Sequence, residues 1–125
     1  MLFIKINVKG YLKNLTENNE DIINTTSIKK SNKLNYIIDN TKYQLIIDNN
    51  KVTLLRENNE FSHGITFIEN KTTSSEFYLK EQSYSIEFNI KTIKLLIEEN
   101  KIDITYKILE TENIYNYVLE MSDSL

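Results

Sequence analysis

The chain contains no cysteine, no proline and no alanine, and only two glycines among its 125 residues. Without cysteine there is no disulfide framework, no thiolate metal site and no thiol nucleophile. Small secreted domains usually need such staples, so a reducing compartment is expected. Gly10 and Gly64 stand far apart, which rules out a glycine-rich phosphate loop. Alanine is the strongest helix former, and its absence beside many isoleucines, tyrosines and threonines favours strands. The abundance of Asn, Lys, Ile and Tyr also reads as A- and T-rich coding, so abundance alone carries little functional weight.

No apolar run approaches the roughly 20 residues of a membrane helix. Met1-Leu2-Phe3-Ile4 reaches Lys5 and Asn7 too soon to build a signal-peptide core. The expected location is therefore the cytoplasm, with no membrane partner. A net charge of −3 gives no long-range attraction to nucleic acid. Lys29, Lys30 and Lys33 read as a solvated hairpin before they read as a phosphate contact. One histidine and no cysteine leave no set of metal ligands, and no cofactor is expected.

What the chain does have is short segments of alternating apolar and polar residues, a period that puts one side chain inward and the next outward. Asn49-Asn50, Asn58-Asn59, Asn70-Lys71 and Asn100-Lys101 separate several of them. Asparagine tolerates the left-handed conformation of tight hairpins, and its side chain can bond nearby backbone. The first strand carries Leu2, Ile4, Ile6 and Val8. After Gly10 the apolar phase passes to Tyr11 and Leu15, which predicts a bulge. Thr16 to Asp21 reads as a polar loop and Ile22 to Lys30 as the second strand. Leu34, Tyr36 and Ile38 mark the third strand, then Tyr43, Leu45 and Ile47, then Val52, Leu54 and Arg56. Phe61, His63, Ile65 and Phe67 share parity in the sixth strand, and residues 72–79 form a polar seventh.

In the longest segment Tyr84, Ile86, Phe88 and Ile90 alternate, and the pattern resumes at Ile93, Leu95 and Ile97. One residue has been inserted near Lys91-Thr92, which predicts a bulge or corner. A helix over 91–101 competes, but the density of β-branched residues favours strand. Ile102 to Ile108 and Tyr115 to Met121 complete the series, and residues 122–125 form a frayed polar tail. About eight to ten amphipathic strands with local connections close most simply into one antiparallel up-and-down β-barrel, a single all-β domain over residues 1–125. A two-layer sandwich is the alternative.

The segments KLNYII, KVTLLRENN, SEFYLKEQ, IEFNIKTIKLLIEE and IDITYKI follow one another at suitable spacing between Leu34 and Tyr106. Together they resemble the YwiB-like family of small bacterial proteins, at signature positions Tyr36, Arg56, Tyr78, Thr92 and Tyr106. The resemblance implies a calycin-like barrel and a cytoplasmic location, and brings no activity with it. This chain departs from the family at turns. Glu57-Asn58 stands where glycine is usual after the arginine strand, and Lys80-Glu81-Gln82-Ser83 replaces a Thr-Pro-Tyr-Gly-like turn.

Arg56 is the only arginine and shares the inward parity of Val52 and Leu54. A guanidinium placed there needs a carboxylate, backbone carbonyls or an anionic ligand. The functional reading is a ligand anchor, and the plainer one is a structural arginine bonded to carbonyls or an acidic partner. His63 is the only histidine and lacks partners for catalysis or metal binding, so packing at a barrel mouth accounts for it. Gly64 beside it reads as a bulge or a close backbone approach. Tyr36, Tyr78, Tyr106, Tyr115 and Tyr117 could line a mouth with an apolar body and a polar tip, and core packing explains them equally well. Glu98-Glu99 diverge on a strand and make no acid–base pair. No enzymatic constellation emerges.

The expectation is a non-enzymatic barrel holding a small apolar or amphipathic molecule. Its walls would come from Val52–Leu54 and Phe61–Phe67, and its contacts from Arg56, Tyr36, Tyr78, Tyr106 and His63. The alternative is a solid-core barrel acting through its outer face, with Ile46, Leu55, Ile68 and Leu96 as an apolar patch, or as a homodimer.

Overall fold

Ten alternating stretches become ten antiparallel strands in the computed structural model, which describes residues 3–123. In chain order they are β1 (Ile4–Asn14), β2 (Asn19–Lys30), β3 (Lys33–Ile38), β4 (Thr41–Ile47), β5 (Lys51–Glu57), β6 (Phe61–Ile68), β7 (Thr72–Leu79), β8 (Tyr84–Glu98), β9 (Lys101–Ile108) and β10 (Asn113–Asp123). Each pairs with its neighbours in sequence, and β10 returns to β1, so the sheet is a closed up-and-down barrel. Closure removes both edges and gives every apolar face one shared interior. Segment 91–101 is strand and turn, not helix.

The sequence phase holds in most strands. Val8, Leu34, Leu45, Val52, Phe67 and Ile102 are 0% exposed and fill the end of the barrel that carries the 31–32, 48–50, 69–71 and 99–100 turns. Six side chains with no accessible surface pack the interior there. Val52 and Phe67, expected as ligand walls, belong to this packed half.

Three local expectations are corrected. First, β1 runs through Gly10 with no bulge, pairing it with Leu119 on one side and Ile23 on the other. The inward phase continues through Leu12, and Tyr11 faces outward with its ring 4.3 Å from Lys13 Nζ. Gly10 is needed for a different reason, because a Cβ there would lie 1.8 Å from the Val118 carbonyl oxygen. Second, β2 begins at Asn19 and not Ile22, leaving a short turn at Leu15–Asn18 whose Thr16 and Glu17 amides donate to Asn14 Oδ1 at 3.0 Å. Third, neither Asn49-Asn50 nor Asn58-Asn59 is left-handed. That conformation falls at Asp39-Asn40, with φ of 49° and 63°, in the two-residue β3–β4 hairpin, and at Asn70, with φ of 61°, where the use expected of Asn70-Lys71 holds. Asn58 instead uses its side chain, accepting from the Glu60 and Phe61 amides.

The insertion in β8 is a bulge. Thr92 pairs with Tyr106 and Lys94 with Thr105, so Ile93 is the extra residue. It sits 43% exposed, while Thr92 keeps the inward phase before the bulge and Leu95 and Ile97 resume it after. Gly64 carries no bulge, and the close backbone approach expected there is absent, since the one near neighbour of a Cβ at this position is the Leu55 side chain, its Cδ2 3.3 Å away. Just past Gly64–Glu76 the β6–β7 ladder stops. The Ser75 and Thr73 hydroxyls then donate to the Gly64 and Thr66 carbonyls at 2.7 and 2.6 Å. Part of the expected frayed tail is ordered, since Ser122 and Asp123 pair with Asn7 and Ile6. Leu2 and residues 124–125 lie outside the described residues.

On the outer face, Ile46 is opposed by Lys33 and Thr53, and Leu55 by Gln44 and Gly64. Polar or small neighbours therefore interrupt the apolar patch expected there.

Candidate functional site

The other end of the barrel is not filled. A cavity of about 360 Å³ lies among Leu12, Ile23, Leu54 and Ile65, with Arg56, Tyr36, Tyr43, Tyr106 and Tyr117 as its polar lining. Ligand sites commonly run from about 300 to 1,000 Å³, so this one suits a small molecule. Its mouth follows a seam in the wall. β2 and β3 pair only at Ile28–Asn35, Lys29–Leu34 and Lys30–Lys33, next to their turn. Ser27 Oγ donates to the Asn35 carbonyl at 2.6 Å, and beyond that point the strands part. Asp21 and Ile22 then face Ile38 and Asp39 across the mouth.

Alternation from Val52 and Leu54 carries Arg56 to this cavity, as the sequence implies. Its Nη2 donates to His63 Nδ1 at 2.9 Å, and the Phe61 ring lies 5.3 Å from the guanidinium carbon. The ion pairs among the described residues are Lys13–Glu20, Lys80–Glu57 and Lys94–Asp103, so none offsets Arg56. Arg56 Nε is buried and has no partner. The carbonyls or acidic residue that would make this a purely structural arginine are replaced by one neutral imidazole.

The histidine is held in one tautomer. Ser75 Oγ gives its proton to the Gly64 carbonyl, so it accepts from His63 Nε2–H at 2.7 Å, and Nδ1 is left as the acceptor for Arg56. Burial and then the adjacent guanidinium push the imidazole pKa down to about 4. Ser75 is 2% exposed. A serine beside a histidine is the nucleophile–base pattern of acyl transfer, but here the ring nitrogen already carries the proton it would have to accept. The neighbouring Arg56 also disfavours the imidazolium that would form. His63 therefore works as a positioning group for Arg56.

The tyrosines complete a surface rich in donors. Tyr36 and Tyr117 share one hydrogen bond of 2.6 Å between their hydroxyls, which leaves the accepting hydroxyl with a free proton. Tyr106 is 6% exposed, and its hydroxyl has no hydrogen-bond partner among the described residues. Burial raises the pKa of Tyr36, Tyr106 and Tyr117, so all three stay protonated donors. Tyr36 also stacks on Tyr43 at 4.8 Å and Tyr106 on Tyr115 at 5.3 Å, fixing the rings.

Of the five contacts expected from sequence, the structure gathers Arg56, Tyr36 and Tyr106 at the cavity and sets His63 behind Arg56. Tyr78 is corrected. Phe77, its neighbour, stacks on Phe61 and meets His63 inside, so Tyr78 points to the outer face beside Leu55, Gly64 and Glu76. Tyr117 and Tyr43 replace it in the lining. No group of three His, Asp or Glu residues converges as a metal site among the described residues. No helix among them is long and apolar enough to cross a membrane.

The crystal structure of the ywiB protein from Bacillus subtilis is similar in fold, with a TM-score of 0.69 and 18% identity over 98% of this chain and 92% of that one. No family model and no curated protein matches the chain. The likeness supports a YwiB-like barrel. At that identity it speaks for the fold alone.

Proposed function

We propose that this barrel is a non-enzymatic binding protein whose half-open interior holds a small amphipathic molecule by its anionic end. One observation carries the reading: Arg56 is a permanent cation on a cavity wall, with no carboxylate in ion-pair range and a buried N–H that nothing accepts among the described residues. A carboxylate or phosphate oxygen accepts charge-assisted bonds from such a group. The free proton of the Tyr36–Tyr117 pair and the unpartnered Tyr106 hydroxyl point to the same kind of acceptor. Leu12, Ile23, Leu54 and Ile65 supply apolar walls. At about 25 cal/mol per Å² removed from water, burying on the order of 150 Å² of ligand carbon gains roughly 4 kcal/mol before ordering costs. The donor set holds an anion; it offers no nucleophile with a free base.

The test is a thermal-shift panel of medium-chain alkanoates, aromatic carboxylates and alkyl phosphates, with the matching alcohols as controls. Acids should raise the melting temperature and alcohols should not. Equal response to both, or none from the acids, contradicts an anion anchor.

A further inference from the structure

The charge around the cavity has two signs. Arg56 lies on the inner wall, while Asp21 and Asp39 line the mouth from opposite sides of the β2–β3 seam. Both aspartates are exposed, and neither takes part in an ion pair among the described residues. The nearby lysines are otherwise placed. Lys13 reaches Glu20 at 3.7 Å, and Lys42 stands across from Glu57 in the β4–β5 ladder. A molecule seated on Arg56 therefore ends between two carboxylates that no ion pair among the described residues offsets.

Three ligand classes meet this field differently. A simple anion gains at Arg56 and is repelled at the mouth. A simple cation is favoured at the mouth and opposed further in. A molecule with an anionic head and a cationic tail is favoured at both ends. Tyr106, more than nine-tenths buried with its hydroxyl unpartnered among the described residues, shows independently that the inner end is built for an acceptor. The apolar wall between, from Leu12, Ile23 and Leu54, suits a methylene or ring spacer.

We infer that the ligand is a small zwitterion, an amino acid in the broad sense, with its carboxylate on Arg56 and Tyr106 and its ammonium at the Asp21–Asp39 mouth. This rests on the anion-anchor reading and narrows it. The spacer sets the chain length, so the useful probes are ω-amino acids of four to eight carbons.

Calorimetric titration should compare each ω-amino acid with the alkanoic acid and the alkylamine of the same length. The ω-amino acid should bind at least about tenfold more tightly than the acid at one or two lengths, with the amine weaker than both. The Asp21→Asn/Asp39→Asn variant should erase that preference while leaving the acid bound. Asparagine suits position 39, where φ is 49°. Should wild type bind acids as well as ω-amino acids at every length, the zwitterion is wrong and the anion anchor stands. Should a preference survive the double variant, the ammonium is not held by these aspartates and the inference is overturned. Should neither acids nor ω-amino acids bind while the folded barrel is intact, the underlying reading falls too.

Discussion

Replacing Arg56 with methionine separates an arginine kept for a ligand from one kept for the fold. The substitution removes the donor to His63 Nδ1, a bond from a charged group worth about 1.5–3 kcal/mol. It also removes a buried Nε–H that has no partner, a burden of about 1–3 kcal/mol. Methionine replaces the stem against Phe61 and Leu54 with flexible apolar volume. The opposing effects are of equal size, so ligand-free stability should change by less than about 1 kcal/mol, and a small gain is as acceptable as a small loss. The thermal shift produced by acids should disappear in the same variant. Urea unfolding of the ligand-free pair gives the first quantity, and melting with and without acid gives the second. A loss above about 2 kcal/mol with the acid-induced shift intact would show that Arg56 serves the barrel itself, and the argument from its missing counter-charge would be refuted.

Gly10→Ala puts a carbon 1.8 Å from the Val118 carbonyl oxygen, a backbone atom that cannot rotate away. It should lower stability by about 3 kcal/mol or more in urea melts, and a change under 1 kcal/mol would contradict the close β1–β10 approach. Deleting Ile93 removes the extra residue and leaves Thr92, Leu95 and Ile97 on one continuous inward phase, so the variant should still melt cooperatively. A second deletion, of Lys94 as well, turns Leu95 and Ile97 outward and should unfold the barrel, and the opposite pair of results would sink the register. For His63, the unfolded imidazole titrates near 6.5 and the folded one near 4, so between those values the unfolded chain holds the extra proton. Its contribution is complete above pH 6.5, declines as pH falls, and is gone below about 4. An unscreened shift of that size is worth about 3 kcal/mol; the ring is only part-buried, so about 1–2 kcal/mol is expected. The stability–pH curve of His63→Gln should be flatter than wild type by that amount between pH 6.5 and 4, and parallel curves would contradict the depressed pKa.

The barrel was legible because period-two alternation is a strong signal wherever polar and apolar residues strictly alternate, as in β9 and in β8 before its bulge. The β8 bulge was legible for the same reason, since one extra residue inverts the phase. Legibility failed at one run of three apolar residues in β7. Phe77-Tyr78-Leu79 fits either phase, and only the stacking of Phe77 on Phe61 decides that Tyr78 points out. Gly10 was misread because a glycine at a faltering phase looks like a bulge, whereas its role is set by Val118 on a strand more than 100 residues away. Asn70 is left-handed as expected, whereas Asn49-Asn50 and Asn58-Asn59 misled, because asparagine has two uses in turns, a left-handed backbone and a side-chain acceptor, and the sequence does not say which applies. Arg56 was aimed correctly by parity. Its missing counter-charge was not legible, because which side chains meet it depends on how ten strands close. The same holds for the seam between β2 and β3, where a full ladder was the natural expectation and the cavity opens instead.

Arg56 is the only arginine in the chain, so its Nε–H gives a single, unambiguous resonance in a two-dimensional ¹H–¹⁵N spectrum. Titrating the protein with an alkanoate and with its ω-amino counterpart reads the central claim directly. If the cavity holds an anion on Arg56, that resonance should move downfield on addition of either ligand, as a charge-assisted hydrogen bond forms, and the matching alcohol should leave it in place. A resonance that stays fixed while other signals report binding would contradict the account.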